Sequence, residues 1–94
     1  MSVYFITCRS VEAKLDKYLH EHYDPVYELT PNCYAISTPK LADEIGNELE
    51  EICTSADDHY FIYEVNKDNF CERATASRHF FVRSLFQENP FALS

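Results

Sequence analysis

The chain has 94 residues with a single glycine, and its 16 acidic against 8 basic side chains give a formal net charge of −8. That length holds one domain, and the charge argues against general binding to a phosphate backbone, which needs clustered Lys and Arg. No run approaches 18 apolar residues, which excludes a helical membrane span, and Met-Ser-Val-Tyr lacks a basic leader, so a cytoplasmic protein is expected.

Val3 to Cys8 is a β-branched and aromatic run and reads as a central strand. It ends at Arg9, and Ser10 is placed to cap a helix. In that helix Val11, Leu15, Tyr18 and Leu19 share one stripe. Asp24-Pro25 stops it. Two alternating runs, Val26 to Thr30 and Cys33 to Ser37, flank Pro31-Asn32 and read as a short hairpin with a tight turn or bulge. Thr38-Pro39 then reads as an N-cap with proline at the first helical position. Leu41, Ile45, Leu49 and Ile52 form the inner stripe of the second helix, and Asp43, Glu44, Glu48, Glu50 and Glu51 its outside. After a polar break over Thr54 to Asp58, the stretch HYFIYEV is a strand again. It has Tyr60, Ile62 and Glu64 on one face and Phe61, Tyr63 and Val65 on the other.

Strand, helix, strand, strand, helix, strand is the order of the ferredoxin-like split βαβ arrangement. The expected fold is therefore α+β, βαββαβ, a four-stranded antiparallel sheet with both helices on one face. The single domain has a core over 2–66 and a C-terminal appendage over 67–94. The other sheet face is expected to be left bare and rich in Tyr and Phe, and such faces usually pair with something. The tail reads as a short helix from about Ala76 to Gln87, with a strand over Phe80 to Val82 as the alternative. Its stripe of Phe81, Val82, Leu85 and Phe86 is suited to packing on that face or in a homodimer.

The cysteines, Cys8, Cys33, Cys53 and Cys71, contain no C-x-x-C pair, and the one close histidine pair, His20 and His22, would point about 200° apart on a helix. Free, mostly buried thiols are expected, with no metal and no cofactor. Cys8 beside Arg9 is the one thiol whose pKa a neighbouring positive charge could lower. His59 after Asp57 and Asp58 reads first as part of a polar turn.

Residues 41–58 carry seven carboxylates and no Lys or Arg. Most such faces are merely solvated. Here Asp43, Glu44, Glu48, Glu51, Asp57 and Asp58 form a candidate partner-binding face, able to imitate spaced phosphates before a nucleic-acid-binding protein. Arg73, Arg78 and Arg83 sit without carboxylates over 73–83 and, with Arg9, are candidates for contact with a phosphate or a partner.

The stretches VYFITCRS, YELTPNCYAISTPKLADEIGNEL, DDHYFIYEV and RHFFVRSLFQ, in that order, resemble the small ferredoxin-like proteins related to the nuclease-like small subunit of CRISPR spacer acquisition. That group includes the SinR-like family and the virulence-associated protein D toxins. The resemblance implies an aspartate at the end of strand one, two of which can face each other in a dimer and hold a divalent metal. Here Cys8 and Arg9 stand at the aromatic and aspartate positions. Arginine has donors only and cannot ligate a metal.

The expected function is thus a non-catalytic, homodimeric interaction protein on a nuclease-like scaffold. It binds a protein partner through its acidic face, and analogy alone places it in a phage, defence or toxin–antitoxin setting. The alternatives are a metal-dependent endoribonuclease with ligands displaced to Asp57, Asp58 or Glu64, and a nucleic-acid binder using its arginines. Direct nucleic-acid binding is the less favoured of the partner readings, given the charge.

Overall fold

The computed structural model describes residues 1–69 together with Val82, Leu85 and Phe86. Six elements follow in order: β1 (Ser2–Arg9), α1 (Glu12–His22), β2 (Val26–Thr30), β3 (Cys33–Thr38), α2 (Ala42–Glu50) and β4 (His59–Val65). The strands make one antiparallel sheet in the order β2-β3-β1-β4. Each helix links two strands that a third separates: α1 leads from β1 past β3 to β2, and α2 from β3 past β1 to β4. The domain is α+β. Among the described residues no helix is long and apolar enough to cross a membrane.

β1 lies between two neighbours and buries residues on both faces, with Val3, Tyr4, Ile6 and Cys8 all buried. Its β-branched and aromatic composition suits that place. Tyr4, Ile6 and Cys8 point to one face, opposite Ile36 and Tyr34 of β3 and Ile62 and Tyr60 of β4. Against them pack Val11, Leu15 and Leu19 from the first helix region and Ile45 and Leu49 from the second. Leu15, Leu19, Ile45 and Leu49 have no exposed surface, and burying each stabilises by about 1.5–3 kcal/mol. Tyr4 enters this core without an unpaired polar atom, because its hydroxyl donates to the Lys40 carbonyl at 2.8 Å.

Three local expectations are corrected. Ser10 does not cap α1. It lies in the left-handed region with φ 68°, its amide donates to Glu12 Oε1 at 3.1 Å, and the N-cap is Val11 without a side-chain bond. The sharp turn after Arg9 places Val11 under the sheet at 3% exposure, and burying that side chain outweighs a cap worth about 1 kcal/mol. Thr38-Pro39 likewise precedes α2 without capping it. The helix begins at Ala42, where the Glu44 carboxylate accepts the Leu41 amide at 3.1 Å and the Glu44 amide donates to the Leu41 carbonyl at 3.0 Å. Leu41 is therefore a cap residue at 66% exposure and not the first member of the buried stripe.

The hairpin between β2 and β3 carries both the turn at Pro31-Asn32 and a register irregularity between Glu28 and Thr30. The turn is tied back to the central strand, since the Cys8 amide donates to the Asn32 carbonyl at 3.1 Å.

The second sheet face is not left bare. Val3 and Ala35 are buried there with Leu85, and Phe5, Tyr27, Leu29, Val65 and Phe86 pack around them. Val82 is also buried, and the Leu85 amide donates to its carbonyl at 3.2 Å. The rest of the expected 76–87 helix, and the alternative strand, lie outside the described residues. What this covering leaves open is the β4 border, where Phe61 and Tyr63 are 56% and 55% exposed.

Candidate functional site

In the sequence Glu48 belongs to an acidic stretch expected to be an open face, and the tertiary structure gives it another surrounding. Its Oε1 accepts the hydroxyls of Tyr18 and Tyr23, each at 2.8 Å, and its Oε2 pairs with the Lys40 ammonium. Lys40 also lies 5.0 Å from the Tyr23 ring centroid. Burial works to raise the Glu48 carboxyl. The hydrogen bonds from Lys40, Tyr23 and Tyr18, with the Lys40 charge, outweigh it and hold the group below its ordinary value. The tyrosines respond the other way. Burial, then the bond to Glu48, pushes Tyr18 up to about 12 and raises Tyr23 as well. This junction joins α1, the β3–α2 connection and α2. It is a structural lock whose carboxylate is already used.

The rest of the acidic face divides between local work and open surface. Glu44 closes the start of α2. Asp58 Oδ2 accepts the Thr54 and Ser55 amides at 3.0 and 3.1 Å and so shapes the turn before β4, while Lys14 donates to Thr54 Oγ1 at 2.9 Å. Asp43, Glu51 and Asp57 are exposed. Beside them an open groove of about 490 Å³ runs between α2 and β4, lined by Asp43, Gly46, Asn47, Glu50, Tyr60 and Ile62 among others. The Tyr60 hydroxyl donates to Glu50 Oε1 at 2.8 Å, with the Gly46 carbonyl at 3.1 Å. The bond to Glu50 first, then burial, raises Tyr60 to about 12. The chain's only glycine lies where this ring meets the helix, and a Cβ built on it would sit 3.5 Å from the Tyr60 hydroxyl.

The end of β1 sets an exposed arginine beside a buried cysteine. Arg9 is exposed and stands opposite His59 across the β1–β4 ladder. Cys8 is buried, and burial first, then the Glu12 charge, raises its thiol to about 11. Desolvation thus acts against the thiolate that the Arg9 charge would favour. Cys33 and Cys53 are free, half-buried thiols, also raised chiefly by burial. Among the described residues no three His, Cys, Asp or Glu side chains gather as metal ligands. Asp58 and Glu64 lie at opposite ends of β4, about 20 Å apart at strand rise, so they belong to different parts of the surface.

Phe61 and Tyr63 stack along β4 with centroids 6.5 Å apart and planes at 14°. Arg73, Arg78, Arg83 and Phe81 lie outside the described residues. Among the tail positions, Leu85 and Phe86 pack on the helix-free face and Val82 is buried.

The Tyr18–Tyr23–Lys40–Glu48 junction was missed in the sequence because its members come from three segments and share no short spacing. The exposed aromatic pair had a signal, the alternation in HYFIYEV, but only the sheet order marks β4 as a border. No family model, curated protein or solved structure matches the chain.

Proposed function

We propose that this protein is a non-catalytic interaction module on a ferredoxin-like scaffold, homodimeric, that binds a basic surface of a protein partner through the outer face of α2 and the turn before β4. The scaffold reading is supported by the strand order β2-β3-β1-β4, by antiparallel pairing at every junction and by two helices packed on one face. The observation that carries the binding reading is the exposure of Asp43, Glu51 and Asp57 in a stretch with no Lys or Arg from 41 to 58. Uncompensated surface charge steers association and selects partners of opposite sign. A raised Cys8 thiol and the arginine at the end of β1 support a binding role over a catalytic one.

The test uses charge reversal at three exposed carboxylates that lie outside the Glu44 cap, the Asp58 turn and the Glu48 junction. The Asp43→Lys/Glu51→Lys/Asp57→Lys variant keeps the Glu44 cap, the Asp58 turn and the Glu48 junction. Tagged wild type, after nuclease treatment of the host lysate, is expected to retain a protein with a basic surface that the triple variant loses. Equal capture by both proteins refutes the acidic-face reading. Capture that nuclease removes from wild type refutes it in favour of direct nucleic-acid binding.

A further inference from the structure

The helix-free face offered a broad surface in the sequence, but Leu85 and Phe86 close its centre. Among the described strand residues, the large apolar side chains left exposed are Phe61 and Tyr63, neighbours on a strand that has β1 on one side and, among the described residues, no strand on the other. An open strand edge presents unpaired N–H and C=O groups that template a further strand. We infer that the β4 edge is a self-association surface, on which a second copy of this chain pairs its own β4 antiparallel about a two-fold axis at Ile62. This rests on the homodimer reading above and names its interface.

The argument is the self-complementarity of HYFIYEV and its flanks. A two-fold axis normal to the sheet keeps like faces together, so it must pass through a residue of β4. With the axis at Ile62, Phe61 of one copy faces Tyr63 of the other. The two stacked pairs become a cluster of four rings on the helix-free face. Tyr60 then faces Glu64, so the carboxylates do not meet. Beyond the strand ends, exposed Asp57 of one copy and exposed Lys67 of the other lie in the turns at the same end of the paired strands. Moving the axis to Phe61 sets Asp58 against Glu64 twice over, and moving it to Tyr63 leaves His59 and Tyr60 opposite the turn that starts at Asn66 instead of a strand. Like charges directly opposite are destabilising. Of the three central registers, only the one at Ile62 pairs all of His59–Val65 and brings no carboxylate opposite another.

The surface is small. One seven-residue strand with its side chains falls below the roughly 1,200 Å² of total buried area typical of stable complexes. Two chains of charge −8 also repel. The expected association is reversible, with a dissociation constant in the micromolar range at about 0.15 M salt, where screening acts beyond about 8 Å.

The experiment is sedimentation equilibrium of the full chain from about 1 to about 300 µM, with Phe61→Glu and Tyr63→Lys measured singly and as an equimolar mixture. Both positions are exposed, and circular dichroism verifies that each variant is folded. Wild type is expected to pass from one to two 11.0 kDa chains. Each variant alone should associate at least tenfold more weakly. The mixture should recover most of the loss, because the introduced glutamate in one chain faces the introduced lysine in the other. A wild-type chain that stays monomeric overturns this assignment and the homodimer reading together. A dimer indifferent to both substitutions overturns the β4 assignment and leaves the homodimer reading standing. Variants that weaken alone and show no recovery when mixed overturn the register.

Discussion

The two faces of the sheet solve the same burial problem differently. On the helix face, the core side chains Ile45, Leu15, Leu19 and Leu49 are fully buried, and the polar groups at its rim are bonded to one another through Glu48. On the opposite face, burial is complete at Val3 and Ala35 and has faded by Phe61 and Tyr63, only two strands from Ala35. The contrast separates what holds the molecule together from what it can offer a partner. Charge alone would have put Glu48 in the second group; its three hydrogen-bond donors put it in the first.

Core truncation gives the largest effect expected of this contrast. Leu49→Ala should destabilise by about 2–5 kcal/mol in denaturant unfolding, whereas Phe61→Ser should change stability by no more than about 0.5 kcal/mol at concentrations where the chain is monomeric. Comparable losses in the two variants would dissolve the distinction between the faces.

The Glu48 junction comes next. Glu48→Leu leaves two tyrosine hydroxyls and the Lys40 ammonium without their acceptor and should cost about 1–3 kcal/mol. Its pH dependence has a definite sign. Because the folded carboxyl titrates below its ordinary 4.5, its contribution is present above that pH and is lost as pH falls through the folded value. Tyr18, raised to about 12 from 10.0, contributes fully below pH 10 and loses that contribution as pH rises toward 12. Wild type should therefore lose stability relative to Glu48→Leu at both extremes. A constant difference from pH 3 to 12 would show that the junction is not electrostatically coupled to folding.

The smallest effect is a gain. Glycine inside a helix costs about 0.5–1 kcal/mol relative to alanine. The space at Gly46 admits a Cβ at ordinary contact distance from Tyr60. Gly46→Ala should stabilise by up to about 1 kcal/mol and raise the melting temperature. A loss would mean that the α2–β4 contact tolerates less than its geometry implies.

The hydrophobic stripe of α1, the Ile45–Leu49 half of the α2 stripe and the two faces of β4 were legible because periodicity reports which residues leave water together. The helix starts were not. Ser10 and Thr38 carry the side chains that usually cap, yet Val11 and Leu41 hold the N-cap positions, because where a helix begins depends on how the chain must turn to reach the sheet. The acidic face was half legible for the same reason. Composition identified its carboxylates and could not tell Asp43, which is open, from Glu48, which is held by residues from two other segments.

By itself, then, the sequence determined the kinds and order of the six elements from Ser2 to Val65, since propensity and hydrophobic period are local properties. Only the tertiary structure decided that Glu48 is held in place, that the helix-free face is closed at its centre, and that β4 lies at the sheet's border among the described residues. Each of those depends on contacts between segments far apart in the chain, and local pattern carries no record of which strand ends up beside which.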